Sequence, residues 1–235
     1  MAQRLLNVPQ VGEVILTKRR GSNKIRISIN AAGQVRVGMP YWTPYEAGVL
    51  FVKRHKSWIQ KQLMVHSPAQ LADGSRIGKI HRINIVKEPA KDGSVEIRVT
   101  STSITVKTVL EPAAPAVQKK IHKACERALK LEAEGLLPKR LESISRKYGL
   151  PYRSLKVRKL TSRWGSCSSK KDVNLSYFLI QLPWELIDYV ILHELAHTVV
   201  PNHSRSFWEF MEKKLPNVGE LRKQIRSHKP RIESH

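Results

Sequence analysis

His193, Glu194 and His197 stand in the run HELAH, and a third histidine, His203, follows six residues after the second. Residues four apart on a helix share a face, so the two imidazoles of the pair can close on one metal ion. Glu194 sits one residue after the first of them, where zinc peptidases place the carboxylate that activates the metal's water. Three protein ligands leave a fourth coordination position open, which separates a catalytic zinc from a structural one. The spacing therefore implies one zinc ion held by His193, His197 and His203, with Glu194 as the catalytic group of a hydrolase, above all a peptidase.

The pattern is short, but its context supports it. With nine His and fifteen Glu in 235 residues, H-E-x-x-H is expected by chance about 0.02 times, and requiring His203 lowers that roughly twenty-five-fold. Ile187, Val190, Ile191, Leu195 and Val199 give the surrounding helix an apolar surface to bury. Pro183 suits its first turn, and Pro201-Asn202 ends it in a turn that can bring His203 back to the metal. The H-x₃-H-x₅-H spacing is also that of the metzincins. Their glycine three residues after the second histidine is Val200 here, however, and Met211 lies on a helical stretch instead of a methionine turn.

The remaining composition bounds the setting. The net charge is +23, from 42 Lys and Arg against 19 Asp and Glu, and it is spread along the chain. Clusters stand at Lys18-Arg19-Arg20 with Lys24 and Arg26, at Lys53-Arg54 with Lys56, and from Arg153 to Arg163. Such a field attracts nucleic acid or another polyanion, and a merely solvated basic surface is its equal competitor. Two cysteines, Cys125 and Cys167, make no disulfide framework. With no apolar run of membrane-spanning length and no clear secretory signal, the expectation is a cytoplasmic protein without a membrane partner.

The elements that must position the site read as α+β. Alternation from Lys24 to Ile29, a turn at Ala32-Gly33 and the continuation Val35-Arg36-Val37 predict a short antiparallel β unit over 11–39. Pro44 to Met64 reads as a helix, 66–78 as a loop, and roughly 80–87 and 94–109 as strands about an Asp92-Gly93 turn. Residues 1–110 thus form an expected N-terminal β-rich subdomain with one helix, and 111–235 the catalytic domain. In the latter, Ala116 to Tyr148 is helical with a break or kink at Gly135 and Pro138. Strands occupy 154–181, the histidine helix follows, and a last helix covers 206–214. No internal repeat stands out.

A second signature lies at Arg163-Trp164-Gly165-Ser166-Cys167-Ser168. Together with Leu179-x₃-Pro183, Asp188-Tyr189-Val190-Ile191 before HELAH, and Asn202-His203-Ser204-x₂-Phe207-Trp208, it resembles the YgjP/SprT-like family of zinc metallopeptidases. The resemblance is strongest over 150–210 and extends to the N-terminal pattern. It implies a zincin-like fold with the active-site helix beside a small sheet, His193, His197 and His203 as metal ligands, and Glu194 as catalytic. Ser176 departs from the family's asparagine at that position. Arg163 reads either as a partner for an anionic intermediate or as a structural ion pair. Cys167 reads as a buried small residue before a thiol or a fourth ligand; Trp164, Trp184, Phe207 and Trp208 read as core. Competing functions are a metal-dependent nucleotide phosphoanhydride hydrolase, which lacks a glycine-rich phosphate loop, and a nucleic-acid-binding protein with a structural zinc.

Overall fold

Strand alternation builds the first sheet. In the computed structural model, which describes residues 3–29, 33–66, 70–90 and 95–232, the chain divides into two compact units, 1–68 and 69–235. The first holds β1 (Gln3–Val8), β2 (Gly12–Arg19), β3 (Arg26–Ile29) and β4 (Val35–Pro40), in the spatial order β1-β2-β4-β3. β1 and β3 pair antiparallel with their neighbours, whereas β2 and β4 run parallel, because β4 inserts between β2 and β3; the wholly antiparallel unit that the sequence predicted over 11–39 is thus mixed. Val14, Leu16, Val35, Val37 and Met39 point to one face and are almost wholly buried. They share a core with Val52 of α1 (Tyr45–Arg54) and Ile59 of α2 (Lys56–His66). The expected single helix is broken at His55, whose backbone leaves the helical region (φ −101°, ψ 16°) and whose Nδ1 lies 2.9 Å from the Phe51 carbonyl oxygen.

The second unit opens with a sheet of the same plan. β5 (Arg76–Ile77), β6 (His81–Val86), β7 (Val95–Val99) and β8 (Ser103–Thr108) are ordered β5-β6-β8-β7, again with the parallel pair at the centre. The Asp92-Gly93 turn and Ala32 of the earlier turn lie outside the described residues. Ile77, Ile83, Ile104 and Val106 belong to one core with the helices that follow. That shared core is why the units divide at 68/69, whereas the sequence suggested 110: β5–β8 bury their apolar face within the second unit.

α3 (Pro115–Tyr148) runs for 34 residues through Gly135 and Pro138, so of the break or kink that the sequence predicted there, the break is absent. An internal proline costs a helix about 3 kcal/mol, yet buried side chains continue on both sides of it, from Val117 and Ile121 to Leu141 and Ile144. That continuous burial outweighs the loss. The helix ends where Gly149 adopts φ 66°, a left-handed cap that a side chain resists.

Glu132 ties this helix to the preceding sheet. Buried to 4% exposure, its carboxylate accepts hydrogen bonds from the backbone N–H groups of Lys79, Ile80 and His81, and meets His81 Nδ1 at 2.6 Å.

The last part carries the site. β9 (Ser154–Arg158), β10 (Gly165–Cys167) and β11 (Asp172–Ser176) form a three-stranded sheet with β11 central. The predicted strand stops at Ser176, because its hydroxyl accepts from the Phe178 N–H and caps a 3-10 helix over Tyr177–Gln181. Then come α4 (Trp184–Ala196), α5 (Arg205–Lys214) and α6 (Val218–Ile225). Arg140 of α3 donates from two nitrogens to Asp188 of α4, at 2.6 and 2.5 Å. Among the described residues, no helix is long and apolar enough to cross a membrane.

Candidate active site

α4 is apolar on nearly every side, with Leu186, Ile187, Ile191 and Leu195 buried, so the helix is rigidly seated. Its last turn presents His193 and Glu194, and His197 caps its C-terminus. The chain then turns through Pro201-Asn202 and brings back His203 just before α5. The nitrogens of the three histidines lie within 4.8 Å of one another, and the Nε2 atoms of His193 and His203 are 2.9 Å apart. His197 Nδ1 faces the Val200 carbonyl oxygen at 3.1 Å. A proton held there as the hydrogen-bond donor frees Nε2 to act as a ligand, as is common where a metal-binding histidine donates its other ring N–H to a backbone carbonyl.

Electrostatics favours ligation over protonation. Burial first, then the proximity of His197 and His203, pushes the His193 imidazole down to about 3. His203 is lowered as well, by burial and then by His197 and Arg222. A neutral imidazole is the form that binds metal, so the depressed values of His193 and His203 suit them to ligation. The donor set of three imidazoles fits zinc, copper, nickel or iron. Phe207 packs on His197 (ring centroids 4.7 Å apart) and Trp208 stacks on His203 (5.9 Å), so α5 holds both rings from the outer side.

Glu194 lies against β10. It is 6% exposed, and burial pushes its carboxyl up to about 8 while Arg163 pulls it back. The contact with Gly165 is close: a Cβ there would fall 2.7 Å from Glu194 Cγ and 2.8 Å from Oε1. Only a glycine leaves room for the carboxylate, which gives the second signature a physical role. β10 pairs with β11 along one edge, by Gly165 with Leu175 and Cys167 with Val173, and its other edge is unpaired within the sheet. A cleft of about 580 Å³ lies beside that strand, lined among others by Arg163, Trp164, Cys167, Tyr189 and Ile225.

The structure sorts the remaining sequence candidates. Cys167 lines the cleft but is not grouped with the three histidines; its thiol is raised, chiefly by burial and next by Glu194. Arg163 makes no ion pair among the described residues and faces the cleft. Ser176, at the family's asparagine position, donates to the Leu160 carbonyl oxygen at 2.9 Å and so fastens the segment leading to β10. Phe207 is core, whereas Trp184 is 39% exposed under the cations of Lys79 and Arg140, and Val199 is 56% exposed beyond the helix end. Sequence reasoning missed α6, although Val218, Leu221 and Ile225 have helical spacing. From it Arg222 lies 4.0 Å over the Trp208 ring.

A helix bearing two histidines and an intervening glutamate, a third histidine returned by a turn, and a glycine strand against the glutamate together meet the requirements of a metal-assisted hydrolase. The chain belongs to the YgjP-like family: its metallopeptidase domain matches residues 23–228. Among solved structures, the metallopeptidase zymogen of Pyrococcus abyssi abylysin is 26% identical over 39% of this chain and 93% of its own, with a TM-score of 0.36. The metallopeptidase zymogen of Methanocaldococcus jannaschii jannalysin is 20% identical over 38% of this chain and 93% of its own, with a TM-score of 0.34. Among curated proteins none matches the chain.

Proposed function

We propose that the chain is a zinc-dependent peptidase, holding one ion by His193, His197 and His203 and using Glu194 as general base. The observation that carries this reading is the convergence of three imidazoles beside a buried carboxylate. Zinc bound there would supply Lewis acidity, polarising the scissile carbonyl and lowering the pKa of an attacking water to about 7. Glu194 takes the water's proton on a carboxylate oxygen and passes it to the leaving amine.

The peptide substrate lies extended along the free edge of β10, pairing backbone to backbone as an added strand. Gly165 then keeps the carboxylate within reach of the bond to be cut. Arg163, at the cleft wall, orients negative charge that develops on the carbonyl oxygen. The two unpaired thiols, Cys125 and Cys167, suit a reducing cytoplasm.

The test is incubation of zinc-loaded protein with a diverse peptide library, reading new termini by mass spectrometry. Cleavage by the wild type and not by Glu194→Gln, with zinc retained in both, is the expected result. Cleavage that survives in Glu194→Gln removes Glu194 from the role of base. No cleavage by zinc-loaded wild type removes the peptidase reading.

A further inference from the structure

The outward face of the first sheet forms a second cleft, of about 750 Å³, whose lining includes Arg19, Arg20, Lys24, Arg26 and Arg36. It lies wholly within residues 1–68 and owes nothing to the peptidase site. The register shows how it is built. Thr17 of β2, Gly38 of β4 and Arg26 of β3 stand side by side, and Ile15, Arg36 and Ser28 form the next row. Small side chains at Thr17, Gly38 and Ser28 make a shallow floor, with arginines rising around it. At Gly38, a Cβ would meet nothing within 4 Å, so open space stands directly over the middle strand.

No acidic residue lines this cleft. None of its five cations has a carboxylate partner among the described residues, since every ion pair described lies in the second unit. Residues 1–68 carry eleven Lys and Arg against two Glu. One of these, Glu13, shares the sheet face but lies outside the cleft lining. Unpaired arginines held close together repel one another, and an anion with several charges relieves that repulsion.

At the end of β4, two exposed aromatic rings follow: Tyr41 is 53% and Trp42 68% exposed. The Arg20 guanidinium lies 5.4 Å over the Tyr41 ring, joining them to the cleft. A basic groove that tracks a backbone, with aromatic faces on which bases stack, is the chemistry of single-stranded nucleic-acid binding. The cleft's volume is that of a small-ligand site, enough for a few nucleotides of one strand and too small for a duplex.

We propose that this face binds single-stranded nucleic acid, with Arg19, Arg26 and Arg36 on the phosphates and Tyr41 or Trp42 stacking a base. The full chain is titrated against fluorescein-labelled oligo-dT and oligo-rU of about twelve nucleotides, the matching duplex, and phosphatidylserine vesicles. Binding at least about tenfold tighter to single strands than to duplex or vesicles is expected, with a strong salt dependence. Gly38→Glu places a carboxylate in the open centre of the cleft and should weaken binding by about tenfold or more. Gly135→Glu makes the same change of charge at an open position on α3, and should leave binding within about twofold.

Equal weakening by the two variants would reduce the effect to the general positive field and overturn the proposal. So would duplex or vesicles binding as tightly as single strands. Should Gly38→Glu lower the thermal midpoint, Arg26→Gln with Arg36→Gln decides instead. Both side chains are exposed, and their loss should flatten the slope of log K against log salt by about 1.4, or 0.7 for each phosphate contact. An unchanged slope would count against the proposal.

Discussion

Two sheets with one topology face different fates in this molecule. Both run edge, centre, centre, edge with the parallel pair in the middle, and both bury one face against helices. In the second sheet the outward face also carries cations, at Arg82, Arg98 and Lys107. Lys107 there meets Glu88 at 2.8 Å and lies in the field of Glu96, directly across on β7. In the first sheet Arg19, Arg26 and Arg36 have no such neighbours. The shared plan shows that the fold tolerates either surface. A carboxylate pair at Lys107, a choice of side chains on the solvent face, separates a partly paired scaffold from a candidate binding surface.

The difference extends to chemistry, and breaking it there should have the largest effect. The second unit contains the histidines, the buried carboxylate and the glycine strand, so Glu194→Gln should cut kcat by about 10²–10⁴ while zinc content by atomic absorption stays at one. His193→Ala should lose the metal itself. Gly165→Ala tests the packing: its methyl would collide with Glu194 at 2.7 Å. Displacing the carboxylate by about 1 Å should cost roughly a hundredfold in kcat, with zinc retained and KM little changed. A fully active Gly165→Ala enzyme would show that the contact does not position the base.

Stability should also distinguish the sheets. Among the described residues, only the second is pinned to its helix by a buried carboxylate, Glu132, with three backbone N–H donors and His81 as partners. Glu132→Ala strands those donors and should cost about 3–5 kcal/mol, read as a lower urea midpoint with the slope preserved. A loss below about 1 kcal/mol would mean that water replaces the carboxylate in the loop.

The sequence made the site more legible than the architecture. HELAH, the proline turn and His203 are local, so spacing and helical geometry alone bring them together. Gly165 and Glu194 are 29 positions apart, and only the fold reveals their contact. α3 passed through Pro138 because burial on both sides of it prevailed over a local preference. The likeness of the two sheets escaped a search for repeats because strand order and direction require alternation, not identical residues. The division at 68/69 was hidden for a related reason: β5–β8 look like β1–β4 in pattern, and only their shared core assigns them to the catalytic unit.

The gentlest perturbation sharpens the comparison most. If unpaired charge is what distinguishes the first sheet's face, then unpairing the second should begin to confer the same property. Glu88→Gln with Glu96→Gln removes the two carboxylates beside Lys107 without changing side-chain size. The Lys107–Glu88 pair is half exposed on both sides, so its loss should leave the fold intact. Measured in a background carrying Gly38→Glu, the double variant should regain weak oligo-dT binding, a gain of about two- to fivefold that disappears at high salt. The second face lacks the open floor made by Gly38 and the exposed aromatics beyond β4, so recovery should stay partial. Full recovery would mean that charge alone governs binding and that the shape of the first cleft is incidental. No recovery would mean the reverse: concavity and stacking faces, absent from the second sheet, are what make the first a site.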